Sequence, residues 1–161
     1  MQNNLIDAIS SGLHGRFTHI DPQKALVGLT PKIARKKPQS VSHFCWELLH
    51  HTVIWQETFL NQIKGEILDW NEIEDTINWP TQEAMKDDSD LQKLLDRFRV
   101  GIEETKNLMQ TVDFTQTSVG KPALSIVKLF LCLLQHMSLH VGQIVTVRQC
   151  LGDWPPKQVK G

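Results

Sequence analysis

Residues 123–151 read ALSIVKLFLCLLQHMSLHVGQIVTVRQCL, the longest helical pattern in the chain. Apolar side chains recur there at three- and four-residue intervals, which marks an amphipathic helix rather than a strand. Pro122 stands before it at an N1-like position. Gly152 follows as a C-cap residue, and Pro155-Pro156 rule out continuation.

Further helical patterns lie upstream. Residues 3–14 carry Leu5, Ile6, Ile9 and Leu13 at helical spacing. Asp21-Pro22 reads as an N-cap followed by a first-turn proline, opening a segment over 23–29; the two stretches form one broken helix or two. Thr30-Pro31 through Pro38 is a connector with a short turn. Over residues 41–65, Phe44, Cys45, Leu48, Leu49, Trp55, Phe59 and Ile63 form an apolar stripe, with Ser40 or Ser42 as cap. Ser89 and Gln92 read as a capping box for a helix running to about residue 110 through Leu91, Leu94, Leu95, Phe98, Ile102 and Leu108. Between these, residues 66–88 are rich in Asp, Asn, Glu and Thr, with Trp70, Trp79 and Pro80 embedded; they read as a crossover packed through its tryptophans. Four long helical patterns, one long connection and almost no strand signal predict an all-α four-helix bundle. The long crossover joins its second and third helices, and residues 1–161 form a single domain.

Composition narrows the function classes. The chain has 161 residues, 17 Lys+Arg against 18 Asp+Glu, and a net charge of -1, so it carries no basic footprint for nucleic acid. Three cysteines without a C-x-x-C make neither a disulfide framework nor a Cys-rich zinc site. The N-terminus lacks a targeting pattern, and the longest purely apolar run, residues 129–134, falls far short of the roughly 20 residues a spanning helix needs. A soluble, cytoplasmic protein without a membrane partner is the expectation. The unexplained feature is seven histidines.

Two of these, His136 and His140, lie four residues apart on the longest helix, so both imidazoles occupy one face. They can grip one metal ion or stand as polar flank residues. Met137 occupies the place where a metalloprotease signature requires Glu, which speaks against zincin-type proteolysis. A third candidate lies in Glu47-Leu-Leu-His50-His51, where the two histidines are roughly 100° apart around the axis. His51 aligns with Phe44, Leu48 and Trp55; His50 reads as a flank residue. Glu47, one turn before His51, reads as an outer-sphere acceptor, a ligand, a base or an ordinary exposed residue. Glu47-x-x-His50 is the only Glu-x-x-His pair, so a di-iron carboxylate centre does not fit. Phosphate-cradling glycine loops and a nucleophile elbow are absent. His14, His19 and His43 read as local or surface residues.

The combination of Glu47-Leu-Leu-x-His51 with Trp55, then His136-x-x-x-His140-x-Gly142-Gln143-Ile144 and the tail Leu151-Gly152-Asp153-Trp154-Pro155-Pro156, resembles the DinB/YfiT-like superfamily. His19-Ile-Asp-Pro22 and Ala25-Leu-x-Gly28-Leu29 resemble the segment after that family's first helix. The resemblance implies a four-helix bundle with a long crossover, and a divalent metal, often zinc or nickel, held by His51, His136 and His140. It further implies chemistry with low-molecular-weight thiols such as bacillithiol, mycothiol or glutathione, since characterised relatives include thiol-dependent transferases and isomerases. The leading expectation is therefore a metal-dependent enzyme acting on a small molecule, most concretely a small-thiol S-transferase. A metal-dependent hydrolase with Glu47 as base and a non-catalytic, stress-related binding scaffold are the alternatives. Homodimerisation is expected from the apolar helices and from the resemblance.

Overall fold

Short polar side chains set where most of the helices begin. Asp21 Oδ1 accepts the Gln23 N–H at 2.8 Å, with Pro22 in the first turn, and opens α2 (Pro22–Ala25). Thr30 caps α3 (Pro31–Ala34). Ser125 Oγ accepts the Lys128 N–H at 3.3 Å and opens α7 (Ile126–Cys150). The remaining helices are α1 (Gln2–Leu13), α4 (Cys45–Ile63), α5 (Trp70–Thr76) and α6 (Asp88–Thr111), with a 3-10 turn at Glu83–Met85. The computed structural model describes residues 2–156 and is all-α, with no strand among them.

Three starts differ from the sequence expectation. Helix α4 begins at Cys45, because the Glu47 carboxylate takes the Phe44 N–H at 3.2 Å and turns the chain there. Residues 41–43 stay outside the helix as a result. Asp87, not Ser89, caps α6: its Oδ1 accepts the Ser89 N–H at 2.7 Å, leaving Ser89 inside the first turn. Pro122 lies in a loop rather than at the start of α7. That loop folds back on itself through Ser118 N–H to Leu124 C=O (2.8 Å) and Ile126 N–H to Gln116 C=O (3.0 Å). The stretches 3–14 and 21–29 are separate elements, and the end expected at Gly152 is present. There φ is +71°, and Asp153 N–H reaches back to Arg148 C=O at 2.9 Å, as in the Schellman motif.

The four longest helices pack side by side: α4 lies against α6 and α7, and α1 lies against the same two. Leu13, Trp46, Leu49, Leu60, Phe98, Ile102, Leu129 and Phe130 fill the space between them. Burying each such side chain contributes about 1.5–3 kcal/mol. The apolar run at 129–134 understated α7. Taken over its full length, it is apolar and long enough to cross a membrane, yet here its buried apolar side chains pack on α4 and α1.

Residues 64–87 connect α4 to α6 and pack through Trp70 and Trp79. Trp70 lies edge-on to Trp55 and Phe59, and its Nε1–H donates to Gln62 Oε1 at 3.1 Å. Gln62 in turn donates to Ser118 Oγ and to the Pro122 carbonyl, so one buried amide holds both long loops. At the far end, Arg35 stacks over Trp46 and donates to the carbonyls of Met85 and Lys86.

Candidate metal centre

Because α4 and α7 are neighbours, they bring together three side chains that are 85 and four residues apart in the chain. His136 Nε2 lies 3.0 Å from His51 Nε2 and 3.2 Å from His140 Nε2. The ligating atoms of the three histidines all lie within 4.8 Å of one another. Hydrogen bonding among the rings cannot account for this convergence. A neutral His136 has at most one Nε2 proton, so it cannot donate to both neighbours. His140 is further constrained: its Nδ1 sits 2.6 Å from Gln143 Oε1, a pure acceptor, so Nδ1 carries the proton and Nε2 presents a lone pair.

The surroundings hold all three rings neutral. Burial, then the facing charge of His140, pushes the His51 imidazole down to about 4. Burial, then His140 and His51, brings His136 down to about 3. Burial also lowers His140, opposed by its bond to Gln143. Asn78 lies near enough to His51 to favour its charged form, but no atom is in hydrogen-bonding position to Nδ1, which is buried without a partner among the described residues. Three neutral imidazoles with no carboxylate make a donor set for a borderline transition metal such as zinc or nickel rather than for magnesium or calcium. The residues present therefore fit a divalent metal.

Aromatic rings from the crossover and α4 enclose the triad. The Trp79 indole is sandwiched between His51 (centroids 4.3 Å apart, 9° between planes) and His43 (4.0 Å, 6°). Trp55 and Phe59 flank His136 at 6.0 and 6.1 Å. Consecutive crossover residues are tied to α4 beside the site. His50 Nε2–H donates to the Ile77 carbonyl at 3.0 Å, and Trp55 Nε1–H donates to Asn78 Oδ1 at 2.8 Å. His50 thus holds the crossover and takes no part in the triad.

The other candidates have different work. The Glu47 carboxylate takes the Phe44 N–H and faces His43 Nδ1 at 3.3 Å; it does not join the three histidines. His19 donates from Nδ1 to the Ile20 carbonyl, so its Nε2 accepts from the Ser138 hydroxyl at 2.9 Å and pins the loop after α1 between the two α7 histidines. His14 pairs with Asp21 at 2.7 Å. Burial pushes the Cys45 thiol up to about 12, which makes it inert at neutral pH.

Sequence reasoning quoted Gln143 only within the family motif and Trp79 only as a packing residue, and it passed over Asn78 and the placement of His43. Gln143 had a signal, one turn after His140 on the same helix face. His43 and Glu47 share that i, i+4 relation. Asn78 had none, and nothing placed Trp79 on His51 in particular, since a crossover's path over a helix leaves no periodicity.

Two outcomes follow from this geometry. Gln143→Leu removes the acceptor that sets the His140 tautomer and is expected to weaken zinc binding about 10–100-fold, with Gln143→Glu restoring most of it. Isothermal titration of metal-free protein measures both, and an unchanged affinity for the leucine variant rejects the orienting role. The second concerns pH. The folded-state values of His51 and His136 lie below the ordinary 6.5, so between about 4 and 6.5 the unfolded chain binds more protons. The metal-free protein therefore gains stability as pH rises through that window and loses it as pH falls. Urea midpoints across the window should climb more steeply for the wild type than for His136→Ala; equal slopes contradict the assignment.

No curated protein and no solved structure matches the chain. The model of the DinB superfamily matches residues 21–144, about three quarters of its length. That span holds all three histidines of the cluster together with α2 to α6 and most of α7. An all-α fold with a three-histidine cluster that can hold a divalent metal is what this match and the geometry jointly describe, and the chain belongs to the DinB superfamily.

Proposed function

We propose that the protein is a metal-dependent enzyme acting on a small molecule, most concretely by transferring the sulfur of a low-molecular-weight thiol to an electrophile. The observation that carries this reading is the convergence of three neutral imidazole nitrogens within 4.8 Å, without a carboxylate among them. Such a donor set leaves the charge of a divalent ion uncompensated and favours an anionic fourth partner. A zinc or nickel ion held there supplies a Lewis acid that brings the pKa of a thiol or a water toward neutrality. In the transfer, the thiol loses its proton, sulfur bonds to the electrophilic carbon, and the leaving group departs with the bonding pair. Trp79, Trp55 and Phe59 restrict water on one side of the triad, while Gln143 keeps His140 oriented. Three free cysteines suit a reducing cytoplasm.

Hydrolysis is the second reading, favoured by the His43–Glu47 pair next to the triad, which offers a proton acceptor. One assay separates the two. Zinc- or nickel-loaded protein is incubated with an electrophile panel, with and without glutathione, bacillithiol or mycothiol. Turnover that needs the thiol and disappears with chelator supports transfer, and turnover without thiol supports hydrolysis. Absence of both, with metal bound, overturns the enzyme reading in favour of a binding scaffold.

A further inference from the structure

Three glycines stand within helices, and two have a reason inside the chain. A Cβ at Gly12 would lie 2.9 Å from Leu134 Cδ1, and one at Gly101 would lie 2.3 Å from Gln56 Cδ. Gly142, in the middle of α7, differs: beyond its chain neighbours and the local helix backbone, no described atom lies within 4 Å of where its Cβ would be. A helix-interior glycine costs about 1 kcal/mol relative to alanine, and no packing within the described chain offsets that cost here.

Gly142 lines a groove of about 620 Å³ between residues 41–43 and the outer face of α7. That volume is ordinary for a small-molecule cleft. Leu48, Leu139 and Val147 give the groove an apolar wall, and Ser138, Gln143 and Thr146 add hydroxyl and amide groups. No Asp, Glu, Lys or Arg is among its described lining residues. Away from its His43 end, an ionised ligand packed along this wall would lose hydration without a charged side chain beside it, a large penalty.

None of the three histidines is among the groove's described lining residues; two residues that are, Gln143 and His43, link it to the metal centre. Gln143 is the acceptor for His140 Nδ1–H. His43 stacks on Trp79, which stacks on His51. The Glu47 carboxylate accepts from His43 Nδ1, so Nε2 is the ring nitrogen His43 offers a ligand.

We propose that this groove is the substrate cleft of the metal centre and takes an uncharged, mainly apolar small molecule, packed over Gly142 with a hydrogen-bonding group at the His43–Gln143 end. This rests on the metal-dependent reading above and refines it. In a thiol transfer, the groove holds the electrophile, while a carboxylate-bearing thiol such as glutathione approaches from outside it.

Three probes of one shape test the proposal: 1-naphthylmethanol, 1-naphthoate and 1-naphthylmethylammonium, titrated into the zinc-loaded full-length protein and followed by NMR. The alcohol is expected to shift the Leu139, Gly142 and Val147 signals and to bind about 10-fold or more tighter than either ion. Gly142→Leu starts from a Cβ in open space, projects into the groove and should weaken the alcohol about 10-fold or more while zinc affinity stays unchanged. Thr146→Phe fills it from the next turn and should act alike if Gly142→Leu does not fold. Equal binding of the naphthoate, no binding of any probe, or full binding by both filled variants overturns the proposal. So does a wild-type dimer that Gly142→Leu converts to monomer, since the groove's occupant is then a second copy. A separate zinc titration decides the metal reading: failure to bind zinc overturns that reading, whereas intact zinc binding with no probe in the groove overturns only this one.

Discussion

His136→Ala is expected to lower zinc and nickel affinity by more than about 100-fold, exceeding the 10–100-fold typical of losing an orienting partner. The reason is positional. His136 Nε2 makes both close nitrogen contacts of the cluster, to His51 on α4 and to His140 on α7. Without it the remaining pair lies on different helices. Metal should therefore raise the melting temperature of the wild type, by about 4 kcal/mol of stabilisation at a thousandfold excess over its Kd, and at the same concentration stabilise the variant by about 1.4 kcal/mol or less. Isothermal titration with both metals and thermal melts with and without zinc read the two effects. Wild-type affinity in His136→Ala sinks the three-histidine centre. An effect smaller than that of Gln143→Leu reverses the ranking of ligand over orienting residue.

Arg148→Ala is expected to cost about 3–5 kcal/mol of stability, the range for breaking a buried ion pair by removing one partner. The Arg148 side chain is 1% exposed and its guanidinium is fully engaged. It donates to the carbonyls of Ala25 and Val27 at 2.7 and 2.9 Å and to Asp153 Oδ2 from Nε and Nη2 at 2.8 and 2.7 Å. One side chain thus closes the end of α2, the C-terminal end of α7 and the segment beyond it. Truncation leaves two carbonyls and a carboxylate without their donor. Urea unfolding measures the loss; a cost below about 1 kcal/mol contradicts the account. Asp153→Asn should cost less, because that side chain is 28% exposed and water can replace the bond.

Arg148 shows where sequence reading stops. Within residues 123–151 it is one basic residue near a helix C-terminus, and nothing in the pattern says that it turns inward. The same limit applies to helix starts. Ser40, Ser42 and Ser89 are good capping residues, yet the chain uses Glu47 for α4 and Asp87 for α6. Neighbouring residues of similar capping strength differ by about 1 kcal/mol or less, so packing decides among them. His43 read as local, and it became a groove wall because α4 starts later than its apolar stripe suggests.

The sequence by itself determined the all-α class, the helix stripes, the pairing of His136 with His140 and the alignment of His51 with Trp55. Each of these is a matter of spacing along one helix, where 3.6 residues per turn places side chains without reference to the rest of the chain. Tertiary structure alone decided that His51 meets the α7 pair, that Trp79 lies across them, and that a groove free of described charges lies over Gly142. Those relations join residues up to 106 positions apart, from Val41 to Val147, and they depend on which faces of α4, α7 and the crossover bury against one another.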